Sequence, residues 1–172
     1  MDTKDLILRK ARFEDWEDLY QNIWSREESA RHMLWKVTTS EEEARDRIQR
    51  TVEFQRDHEA WIVCEKADGR VIGWAGIRQL EPGVYEDTGV AVGPEYTGRG
   101  YGKQIVSALT EYVFETLGGQ RLILSCRSAN APSRGTILSC GFTYTHSEDR
   151  VDPRDDSPYV VEFYERKKTE LV

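Results

Sequence analysis

One stretch constrains this chain more than any other: Val90-Ala91-Val92-Gly93-Pro94-Glu95-Tyr96-Thr97-Gly98-Arg99-Gly100-Tyr101-Gly102-Lys103. An apolar strand passes through a proline turn into a loop with glycine at alternate positions, and an amphipathic helical pattern from Gln104 to Leu117 follows at once. The first amide N–H groups of such a helix have no intrahelical partner. Its dipole adds roughly half a positive charge at that end. Glycine allows close backbone approach and φ > 0. Strand, glycine loop and helix together predict a seat for an anion, a phosphate above all.

Two well-known phosphate loops fit poorly. A Walker loop needs a glycine, four further residues, and then Gly-Lys-Ser/Thr. Here Thr97 replaces that glycine and Gln104 replaces the hydroxyl residue. The dinucleotide fingerprint needs Gly-x-Gly-x-x-Gly near the start of a βαβ unit. Here the spacing is Gly-x-Gly-x-Gly, past the middle of the chain. The run Val-x-Pro-x-Tyr-x-Gly-Arg-Gly-Tyr-Gly instead resembles the acyl-CoA signature of the GNAT N-acetyltransferase superfamily. That signature, Gln/Arg-x-x-Gly-x-Gly/Ala, wraps the pyrophosphate of coenzyme A. Thr97 stands where Gln or Arg is usual, but backbone amides carry most of that contact. The resemblance implies acetyl-CoA as cosubstrate, held by Val90, Ala91, Val92, Gly98, Arg99, Gly100, Tyr101, Gly102 and Lys103.

The rest of the chain supplies a matching order of elements. Leu6–Lys10 reads as a strand, and apolar residues at 13, 16, 19, 20 and 23 mark a helical face. Residues 24–35 are less regular, a short helix or a mobile connection. Thr39 or Ser40 opens a helix with a capping box and acids in its first turn, and Ala44, Ile48, Val52 and Phe54 mark its inner side. Ala60–Lys66 and Val71–Arg78 flank Asp68-Gly69, a hairpin signal, and a turn at 81–83 leads to a third strand, 85–92. The glycine-loop helix stops at Gly118-Gly119. A strand at 121–126, a helix opening at Asn130 with Pro132 in its first turn, and strands at 142–147 and 159–167 follow, the last two joined by an acidic loop, 148–157. The expected fold is α/β of the α+β kind: a mixed, mostly antiparallel sheet of about seven strands flanked by about four helices, one domain over 1–172.

A second landmark is Asn130-x-x-Ser133 followed by Gly141-Phe142. It resembles the family's Asn-x-x-Ser/Ala segment, in which the Asn holds the pantetheine arm. Many members carry a Tyr seven residues after this Asn to protonate the leaving thiolate. Ile137 occupies that position here, as an aliphatic residue does in the subset resembling the ribosomal-protein N-terminal acetyltransferases. Ser133 is then the candidate acid. Amine acetylation needs a neutral amine, and free Lys and α-amino groups have pKa values near ~10.4 and ~7.7–8, so a carboxylate base is sought. Glu86 is the first candidate and Asp87 the second, on the strand expected to line the cleft. The N–H of Val92 would polarise the acyl carbonyl.

Composition narrows the setting. A length of 172 residues suits one domain. A net charge of −7 argues against nucleic-acid or anionic-membrane partners and is compatible with a cationic amine acceptor. Glu27, Glu28, Asp149, Asp152, Asp155 and Asp156 read mainly as solvated surface. Cys64, Cys126 and Cys140 form no Cys-x-x-Cys pair and read as small buried apolar residues, and the histidines show no metal spacing. The tryptophans read as core, with Trp35 placed to border the acceptor. With no signal-peptide order and no membrane-length apolar run, the cytoplasm is expected. A homodimer is plausible for that family. The function expected is acetyl transfer from acetyl-CoA to a primary amine, with no metal. The alternative is a non-catalytic acyl-CoA-binding module that senses or mediates assembly.

Overall fold

The computed structural model of the protein describes residues 1–168. Seven strands form one sheet: β1 (Leu6–Arg9), β2 (Ala60–Glu65), β3 (Val71–Glu81), β4 (Val84–Val92), β5 (Arg121–Arg127), β6 (Thr143–Val151) and β7 (Pro158–Lys167). Their order across the sheet is β1-β2-β3-β4-β5-β7-β6. Only β4 and β5 run parallel; every other neighbouring pair is antiparallel. Five α-helices flank the sheet rather than four: α1 (Trp16–Leu19), α2 (Glu27–Ala30), α3 (Glu41–Asp57), α4 (Tyr101–Glu111) and α5 (Ala131–Ser139). The additional one is α2, a single turn inside the irregular 24–35 stretch. Both α1 and α4 run on into π-helical turns, at Tyr20–Trp24 and Tyr112–Thr116.

Alternation along β2 divides the core. Trp61 and Val63 face one side with Ile105, Leu109 and Val113 of the α4 helix and its extension. Ile62 and Cys64 face the other with Leu19, Ile23, Ala44 and Ile48 from the α1 and α3 side. Each face of the sheet thus has its own helical cover, and each can carry its own cavity. Helix α3 is capped as its sequence demands. Ser40 Oγ accepts the Glu43 N–H at 3.2 Å, and the Glu43 carboxylate accepts the Thr39 N–H at 2.8 Å.

Three readings are corrected. Phe54 is not on the inner side of α3: it is 50% exposed and stacks on His58 with ring centroids 3.8 Å apart. The helical period carries the inner face from Ile48 to Gln55, whose Oε1 accepts the Ala11 N–H at 2.7 Å. Residues 148–151 are not loop but the end of β6, exposed along its whole length. An edge strand needs only backbone pairing on one side, so charged side chains do not interrupt it. Asp152 is no surface acid. It is 1% exposed and receives Arg127 Nη2 and Arg154 Nη2, each at 2.7 Å. Arg154 Nη1 also donates to the carbonyls of Ala30 (2.9 Å) and Trp35 (3.3 Å), and Arg127 Nη2 to that of Met33 (3.3 Å). This triad fastens the α2 segment to the β5–β7 end of the sheet. Among the described residues, no helix is long and apolar enough to cross a membrane.

Candidate active site

Strands β4 and β5 pair only where Val84–Glu86 meets Arg121–Ile123, and then part. The parting begins at the one-residue bulge of β4, where Thr88 is extra, and beyond it the two strands form no further pairs. A cleft of about 680 Å³ opens there. It is lined by Asp87 and Val90–Val92 of β4, Leu124 and Ser125 of β5, the loop and first turn of α4, Asn130, Ser133 and Ile137, and by His32 and Met33 beyond α2.

Among the residues singled out as cofactor contacts, all but Arg99 line this cleft. The Arg99 guanidinium turns outward, to Glu65 at 3.2 Å and to the Glu95 carbonyl at 3.1 Å, with Tyr96 beneath it. The Tyr101 hydroxyl also donates to Glu65. Glu65, at the end of β2, therefore ties down both sides of the glycine loop. Gly98 and Gly100 have φ of 76° and 79°. A Cβ at either would meet no atom within 4 Å, so backbone conformation and not space requires glycine there. Gly100 is the N-cap of α4 and offers no side-chain cap. Among the described residues, the amides from Gly98 to Lys103 donate no hydrogen bond to protein. Six consecutive donors at a helix N-terminus in a cleft fit a diphosphate well.

The two candidate bases separate. Glu86 is paired with Arg78, lies outside the cleft lining and points to the opposite face from its neighbour. Asp87 lines the cleft, and its Oδ1 accepts the Ser125 N–H at 2.9 Å across the parting strands. Burial pushes the Asp87 carboxyl up to about 7, opposed by backbone hydrogen bonds and assisted by the charge of Glu86. Part of its surface opens on the cleft, so water there limits the rise, and a ligand displacing that water would extend it. A straight strand would put residues 87 and 90 on opposite faces. The register shift opposite Gly76 and Ile77, where Thr88 is extra, brings Asp87, Val90 and Val92 to the same side. The bulge left no mark in the spacing of apolar residues, which is why Glu86 reads from sequence as the better candidate.

Asn130 caps α5, its Oδ1 accepting the Ser133 N–H at 3.2 Å, and both residues line the cleft. The Ser133 hydroxyl borders the thiol of Cys126, which burial pushes up to about 11. Cys126 is thus a neutral thiol at neutral pH, not a nucleophile. Cys64 is likewise buried, while Cys140 is only half-buried against the Lys103 carbonyl.

A sheet split between its only parallel strands, with free helix N-terminal amides beside the split, is the architecture of an acetyltransferase of the GNAT kind. Residues 5–143 match the family described as the acetyltransferase (GNAT) domain, and the chain belongs to that family. It is 28% identical over 143 residues to the uncharacterized N-acetyltransferase p20 of Bacillus licheniformis, across 81% of this chain and 80% of that protein. A GNAT-family acetyltransferase from Bacillus anthracis superposes with a TM-score of 0.84 at 20% identity, over 97% of each chain. The ribosomal L7/L12 alpha-N-protein acetyltransferase RimL, solved with coenzyme A, superposes at 0.78 and 21% identity, over 96% of this chain and 95% of that one. At such identities these two structures establish a shared fold.

Proposed function

We propose that the protein transfers the acetyl group of acetyl-CoA to a primary amine, on a protein N-terminus or a small molecule, by direct attack in a ternary complex. The run of unpartnered amides at the head of α4, beside the split between β4 and β5, carries this reading. The coenzyme A bound by RimL supports it.

When bound, acetyl-CoA supplies an activated acetyl thioester. The amides of Gly98–Lys103 hold its diphosphate, and the edge of β4 at Val90–Val92, freed from β5, aligns the arm that follows. The N–H of Val92 would donate to the acyl oxygen and stabilise negative charge there. Asn130 holds the arm from the α5 side. Asp87, with a pKa matched to neutral pH, takes a proton from the attacking amine. One C–N bond forms and one C–S bond breaks, giving the acetylated amine and the free thiol. The Ser133 hydroxyl, on the wall of the cleft, would pass a proton to the departing sulfur. Glu86, held by Arg78 on the other face, acts only through its charge.

The test is acetyl-CoA calorimetry combined with thiol release across a panel of amines. Binding with turnover of at least one amine supports the proposal. Binding without any turnover supports the non-catalytic module instead, and absence of binding overturns both.

A further inference from the structure

A second cavity, of about 610 Å³, lies on the α3 face of the sheet. Consecutive residues of β4 back onto both spaces: Asp87 lines the cleft and Thr88 lines this cavity. Its walls include Trp24, Trp35 and Trp74. The Trp74 ring lies against the β4 bulge, where a Cβ on Gly89 would stand 2.6 Å from it.

Arg47 of α3 stacks on two of these rings, its Cζ 4.6 Å from the centroids of both Trp24 and Trp35. Nη1 donates to Thr38 Oγ1 at 3.0 Å, and among the described residues the guanidinium forms no ion pair. A guanidinium has five N–H donors, so most of its capacity is unmet. Burial pushes its pKa down to about 10, which still leaves it charged at neutral pH. A guanidinium donates and never accepts. The basic residues Lys36 and Arg50 also line the cavity, against a single carboxylate, Glu43, which is already engaged by the Thr39 amide. The space thus has apolar ring walls and a guanidinium with spare donors, against one carboxylate that is already engaged. Arg47 is half-buried, and a partly desolvated cation with spare donors favours an anion.

We propose that this cavity seats the acceptor by an anionic group, so that the amine acetylated is a small molecule carrying a carboxylate or phosphate on a planar body. The inference rests on acetyl transfer occurring at the neighbouring cleft. It names an acceptor that carries an acid group, where the acidic composition suggests a simple cation, because the charge within the cavity differs from the charge of the whole chain.

The test is calorimetry on the full chain with three probes of one shape: 4-(aminomethyl)benzoate, 4-(aminomethyl)phenylphosphonate and benzylamine. At least one anionic probe is expected to bind about tenfold or more tightly than benzylamine, as charge-assisted pairing to a guanidinium implies. The tighter of the two identifies carboxylate or phosphate as the favoured acid. Arg47→Gln is expected to erase the preference, and Trp35→Leu, which removes one of the two rings against the guanidinium, to reduce it. Equal binding of benzylamine, no binding of any probe, or a preference that survives in Arg47→Gln would overturn the inference. The comparison of probes on the unaltered chain needs no variant to fold. Coenzyme A is titrated separately, and its failure to bind would bring down the transfer reading without touching the measured anion preference.

Discussion

Asp87 keeps its proton until about pH 7 because it is enclosed at the seam between two parting strands, beside another carboxylate. If it is the base, kcat/KM rises with pH through an apparent pKa near that value. Asp87→Asn is expected to remove this limb and lower kcat by about 10²–10⁴-fold, measured by thiol release across the pH range. Glu86→Gln is expected to move the limb toward lower pH without abolishing it, since only a neighbouring charge is lost; loss of the limb in that variant would reinstate Glu86. The same residue shapes stability. Its folded pKa lies above the unfolded value of ~3.9, so the folded state binds the proton more tightly. The resulting stabilisation is complete below the unfolded pKa and is lost as pH rises through about 7. Asp87→Asn is therefore expected to flatten the decline in Tm from pH 4 to pH 8, and an unchanged decline would contradict the burial argument.

Two elements hold the cleft in shape. The glycine loop takes left-handed backbone at Gly98 and Gly100, and the cap of α4 depends on it. Gly100→Ala puts a side chain into a conformation costing about 1–2 kcal/mol. Where the strain is relieved by turning the amides away, coenzyme affinity is expected to fall roughly 5–30-fold, as calorimetry would register. The second element is the 24–38 segment, fastened by Asp152 through Arg127 and Arg154. The two guanidinium groups hold the Asp152 carboxyl far below the usual carboxylate range. That contribution is present above the unfolded pKa of ~3.9 and disappears as pH falls through the lower folded value. Asp152→Asn is expected to lower Tm at pH 7 and to raise the KM for the amine, with the gap in Tm closing in strong acid. An equal gap at pH 7 and in strong acid would show that packing, and not charge, is what Asp152 supplies.

At the level of the molecule, β4 is a wall shared by two cavities, each covered by the helices of its own face. Ligand on either side stabilises the folded chain by mass action: acetyl-CoA at 100 times its Kd adds about 2.7 kcal/mol, which for this size is roughly 5–10 °C in Tm. A thermal scan with and without acetyl-CoA measures it, and no shift at saturating coenzyme would refute binding to the folded state. The net charge of −7 belongs to the surface as a whole. It says little about a cavity where Arg47 lies against two indoles. Much of this molecule was legible in advance. The succession of strands and helices along the chain, the hairpin at Asp68-Gly69 and the opening of α4 all follow from local spacing. Phe54, Asp152 and the Glu86–Asp87 pair did not, because their surroundings are set by distant parts of the chain: His58 and Arg154 apart, the partners of these side chains come from other strands.

Alternating and helical spacing, turn residues and the glycine run are local properties, each decided within about ten residues of chain, and so the amino-acid order alone determined the elements, their succession and the family to which they belong. Which carboxylate faces the cleft, which acid is buried, and that Arg47 meets Trp24 and Trp35 were decided only when the sheet closed. Those outcomes depend on a one-residue bulge and on contacts between strands and helices far apart in the chain. The free energy of burying a charge exists only once both sides of the contact are in place.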